Sequence, residues 1–74
     1  MLTIKMRGCD GTTFHEQANH LGSAIRSVKS AAIGFADSLC TAEWDKAFPL
    51  YWQVISTDRE LIASGHVDET GCIL

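Results

Sequence analysis

From Leu2 to Arg7 apolar and polar residues alternate, Leu-Thr-Ile-Lys-Met-Arg, the period-two pattern of a strand with one face buried. Gly8-Cys9-Asp10-Gly11 reads as the turn that follows, because Asp-Gly supplies a positive backbone φ at low steric cost. Two continuations then compete. In one, Thr12 to Gln17 returns as a second strand and closes a hairpin. In the other, Thr13-x-x-Glu16 is a capping box that starts a helix. Phe14, Ala18, Leu21, Ile25, Val28, Ala32, Phe35 and Leu39 recur at three- and four-residue steps, a long helical stripe. A helix over all of it would run about 39 Å against roughly 20 Å for a six-residue strand. The mismatch places the helix over residues 20–36 and leaves its first turns open to either assignment. Ser23, Ser27, Ser30, Ala31, Gly34 and Ser38 line one flank of the stripe, a small-residue surface suited to close packing on the protein's own sheet or to a helix–helix dimer seam.

The second half predicts shorter elements. Thr41 to Phe48 has the make-up of a short helix with Thr41 as cap and acids in its first turn, stopped by Pro49. Leu50 to Ser56 is aromatic and β-branched, and Leu61 to Asp68 follows the turn Thr57-Asp58-Arg59-Glu60, so an antiparallel hairpin is expected. Gly65 inside its second strand marks a bulge or a close backbone approach. Glu69 to Leu74 is a tail that frays or adds edge pairing. The predicted fold is α+β: one domain over residues 1–74, with an antiparallel sheet of three to four strands packed by one long helix and a short second helix before the C-terminal hairpin.

Composition adds that the chain folds but has little core to spare. It has 74 residues, 46% hydrophobic and 20% charged. A domain this small buries only about 60% of the surface its unfolded chain exposes. Three widely spaced cysteines, Cys9, Cys40 and Cys72, suggest neither a disulfide framework nor a zinc knuckle, and a reducing, cytoplasmic setting is the simplest expectation. No apolar run is long enough to cross a bilayer, and Cys72 is third from the end where a prenylation box needs its cysteine fourth. The net charge of −3 is uneven: residues 1–35 carry +2 and residues 36–74 carry −5. Few clustered cations argue against direct nucleic-acid binding, and an acidic half suits a basic partner, including one that itself handles nucleic acid.

The candidate chemistry is sparse. His15-Glu16-Gln17-Ala18-Asn19-His20 falls one residue outside the H-E-x-x-H zinc motif, and histidines five apart on a helix point away from each other. Cys9 lacks a histidine and orienting group that sequence can place beside it. Gly8-Cys9-Asp10-Gly11 has no lysine after it and is no phosphate loop. No catalytic residue, metal site or cofactor is therefore expected. Four of the six aromatics crowd into Trp44, Phe48, Tyr51 and Trp52. If Leu50 to Ser56 is a strand, Leu50, Trp52 and Val54 face the core, while Tyr51, Gln53 and Ile55 lie on the other face with Ile62 and His66 from the neighbouring strand. The expected function is protein–protein interaction by an inhibitor or adaptor that binds a larger protein without touching nucleic acid or membrane. Its expected contacts are Trp44, Tyr51, Ile55, Asp58, Glu60, Asp68 and Glu69. Compact acidic proteins of this kind are common among phage and mobile-element inhibitors, anti-CRISPR proteins included. The alternative is a structural homo-oligomer, a homodimer in its simplest form, that encloses a small ligand between subunits.

Overall fold

A computed structural model describes all residues, Met1–Leu74. Strands β1 (Leu2–Arg7) and β2 (Thr13–Ala18) form an N-terminal hairpin, followed by helices α1 (Leu21–Asp37) and α2 (Thr41–Ala47), then β3 (Leu50–Ile55) and β4 (Leu61–Val67). The four strands make one antiparallel sheet in the order β2-β1-β3-β4. The fold is α+β, and α1 lies across one face of the sheet in contact with all four strands. No helix is long and apolar enough to cross a membrane.

Thr12 to Gln17 is resolved in favour of the hairpin. Met6 pairs with Phe14 and Arg7 with Thr13 around the Gly8–Thr12 turn, which is closed by Gly8 N–H donating to the Thr12 carbonyl at 2.8 Å. Phe14 and Ala18 consequently face the core from β2 and not from a helix. The capping box forms later and with other residues: Nδ1 of His20 accepts from the Ser23 amide at 3.2 Å, and the Ser23 hydroxyl accepts from the His20 amide at 3.3 Å. Thr41 is not the cap of α2; Cys40 holds that position without a side-chain bond. The Phe48–Pro49 peptide is cis.

The line of α1 buried against the sheet is Ala24, Val28, Ala32 and Ala36, with Ile25, Ala31, Phe35 and Leu39 partly covered beside it and Leu21 exposed. The buried line is centred on Val28 and Ala32, within the predicted stripe, and of the small-residue flank only Ser23, Ser27 and Ala31 are half-buried. Alanines along the buried line let the helix backbone sit close to the sheet, whose Ile4, Met6, Leu50, Trp52, Val54 and Val67 supply the volume. Gly65 is a close approach and not the bulge: a Cβ there would stand 3.2 Å from the Trp52 ring that lies over it. Trp52 is buried and its Nε1–H has no partner. The bulge lies at Ile62, since Val54 pairs with Ala63 but Ile55 pairs with Leu61. The tail adds edge pairing: Ile73 bridges to Val67, and the Leu74 amide donates to the His66 carbonyl at 2.9 Å.

Candidate functional site

The helix covers one face of the sheet; the strand registers say what the other face carries. Directly paired residues share a face, and alternate residues along a strand return to it. One row runs Thr13, Arg7, Tyr51, His66, and the next runs His15, Lys5, Gln53, Ser64. A third runs Gln17, Thr3, Ile55 and ends at the bulge, where both Leu61 and Ile62 stand opposite Ile55. The face thus passes from a cationic and aromatic end, beside the Gly8–Thr12 turn, to an aliphatic end beside the Ser56–Glu60 turn.

At the aliphatic end Leu61 is 52% and Ile62 44% exposed, Leu61 being the most exposed large apolar side chain away from the termini and Ile62 equal to Ile33 on the helix. Ile55 is half-buried between them and Thr3. The neighbouring turn is built by Ser56, whose hydroxyl accepts from the Glu60 amide at 3.2 Å and whose carbonyl accepts from the Arg59 amide at 2.9 Å. Arg59 sits there at φ 64. Asp58 and Glu60 are exposed on this turn.

Of the residues expected to contact a partner, the structure brings Ile55, Asp58 and Glu60 together and adds Leu61 and Ile62 to them. Tyr51 shares their face two rows away, half-buried, with its ring 5.4 Å from that of His66 and its hydroxyl accepting from Gln53 Nε2 at 3.2 Å. Asp68 and Glu69 are not part of this group: they follow β4 and lie at the opposite end of the strand from Asp58 and Glu60. Asp68 serves its own turn, with one carboxylate oxygen accepting from the Thr70 hydroxyl at 2.6 Å, the Thr70 amide at 2.9 Å and the Cys72 amide at 3.0 Å. These bonds hold its carboxyl below the usual 3.8, the Thr70 hydroxyl contributing most. Trp44 is on the helical layer, partly buried against the core, with its indole N–H donating to the Ala36 carbonyl at 3.0 Å. The acidic positions therefore form separate turns and not one acidic surface.

The histidines are also apart in role. His15 lies exposed on the open sheet face and His20 caps α1. No group of three or more His, Cys, Asp or Glu side chains is arranged to hold a metal ion. Cys9 is exposed in its turn, its thiol donating to the Pro49 carbonyl at 3.4 Å. Leu61 was missed by sequence reading because a regular strand would turn it to the helix side; only the unpaired residue at Ile62 turns both toward Ile55. No family model, curated protein or solved structure matches this chain.

Proposed function

We propose that the protein is a small interaction module, an inhibitor or adaptor, that docks a larger protein through the aliphatic end of its open sheet face. One observation carries the reading: the bulge gathers Leu61 and Ile62 opposite Ile55 on a face that no other element covers, at exposures of 52% and 44% for the first two. An apolar centre with a charged margin is the usual anatomy of a protein interface, and Asp58, Arg59 and Glu60 supply the margin here. The two carboxylates favour a partner with basic groups around an apolar patch. Three exposed thiols without a disulfide suit a reducing, cytoplasmic setting.

Affinity capture from the source cell, followed by titration of the captured protein, tests the reading with a Leu61→Ser, Ile62→Ser double variant. Thr13→Ala, His15→Ala on the far strand is the control, and circular dichroism checks that both fold. The expected result is one partner held by the wild type and the control, and at least about tenfold weaker binding by the double variant. Equal binding by the double variant, or capture of no partner, would sink it.

A further inference from the structure

The other end of the same face differs in chemistry. Its two rows, Thr13-Arg7-Tyr51-His66 and His15-Lys5-Gln53-Ser64, contain no Asp or Glu, although the chain has nine such residues and a net charge of −3. The nearest acids lie off the face: Glu16 follows His15 on β2 but pairs with the core residue Ile4, and the carboxylates of Asp10 and Asp68 are bonded within their own turns. Lys5 and Arg7 are exposed, and their charged ends take part in none of the side-chain hydrogen bonds of the molecule. Two shallow hollows flank Tyr51. One of about 320 Å³ is lined by Lys5, Arg7, Thr13, His15 and Gln53 beside the tyrosine; the other, of about 400 Å³, lies between Arg7, Pro49 and His66.

We infer that this end of the sheet binds single-stranded nucleic acid, with a base on the Tyr51 ring and backbone phosphates on Lys5 and Arg7. An aromatic ring on an open sheet, backed by a fixed neighbour and bracketed by cations, combines the two elements of sequence-tolerant strand binding: stacking and phosphate neutralisation. Tyr51 is already held by His66 and by the bond from Gln53, so little side-chain freedom is lost when a base covers it. An acidic protein segment would satisfy the cations but would leave the ring between them without a flat partner. The expectation against nucleic acid rested on the scarcity of clustered cations along the chain. It missed the site because Lys5 and Arg7 meet Tyr51 only through the β1–β3 pairing. This site is separate from the aliphatic end, and the two are tested by different residues.

Fluorescence anisotropy with a labelled oligothymidylate of about 12 nucleotides tests the inference on the intact protein at low salt. Saturable binding is expected, weakening with salt at a log–log slope near −1.4 for about two phosphates neutralised. Tyr51→Ala should weaken binding about 5- to 100-fold while Tyr51→Phe, which keeps the ring, leaves it nearly unchanged. Lys5→Gln, Arg7→Gln should abolish most of the salt slope. No anisotropy change, equal affinity for a duplex of the same length, or equal competition by a polyglutamate of matching charge would each overturn it; the last would make this end a docking face for acidic protein.

Discussion

Asp68 shows how much of this small protein is organised by single polar side chains at turns. Three donors converge on one of its carboxylate oxygens, and Asp10 does the same on a smaller scale through the Thr12 amide at 3.0 Å. Both carboxyls are held below 3.8, Asp68 chiefly by the Thr70 hydroxyl and Asp10 chiefly by the Thr12 amide. A depressed folded-state pKa contributes stability that is present above the unfolded value and is lost as pH falls through the folded one. Stability should therefore drop as the solution is acidified below 3.8, and Asp68→Ala should lower the melting temperature at neutral pH while flattening that acid limb. Asp68→Asn, which keeps an oxygen acceptor but no charge, should flatten the limb with a smaller loss at neutral pH. Thermal melts across the acid range check this; an unchanged pH profile in Asp68→Ala would show that the bonds do not favour the ionised form.

At the scale of elements, strands were legible where the alternation admits one reading and ambiguous where it admits two. Leu2–Arg7 and the hairpin of β3 and β4 follow from their alternation and their turn residues. Phe14 and Ala18 are four apart, which places them on one face of a helix and equally on one face of a strand. Thr13-x-x-Glu16 then imitates a cap. Only the pairing of Met6 with Phe14 across the turn separates the two, and pairing is a relation between segments. The tail depends on a contact of the same kind. Gly71, at φ +83, is buried against α1, where a Cβ would stand 2.9 Å from Ile33 Cδ1. Ile33 and Gly71 are 38 positions apart, so no local pattern announces the contact. Gly71→Ala should cost about 1–3 kcal/mol through backbone strain and this clash. It should also speed hydrogen exchange of the Leu74 amide, now bonded to His66; unaltered exchange and stability would show that the tail contributes nothing.

At the scale of the whole molecule, the features that define the candidate sites were the least legible. Net charge and its division between halves average over positions that the sheet then sorts onto different surfaces. The open face collects Lys5 and Arg7 from the first strand and Tyr51 from the third, while the acids that dominate the second half go to the helices and turns. The bulge that exposes Leu61 has no glycine to announce it, and the glycine that suggested one, Gly65, instead makes room for Trp52. The free thiols give a check on the assembled surface. Cys9, Cys40 and Cys72 are all exposed, so titration with a thiol reagent should count three in the native protein, as in denaturant. A lower native count would mean that a neighbour covers one of them in solution.

The paired tail and the bulge act on the same strand. Residues 73 and 74 occupy the outer side of β4 at its end, and Ile62 breaks the regular spacing of its beginning. Both are devices that blunt a sheet edge. The opposite boundary, β2, has neither: six residues pair regularly with β1 and with nothing beyond. Growth by strand addition is thereby given a single direction. Two copies joined β2 to β2 about a two-fold axis would form one eight-stranded sheet with a blunted strand at each limit, an assembly that closes at two and gives no filament a place to continue.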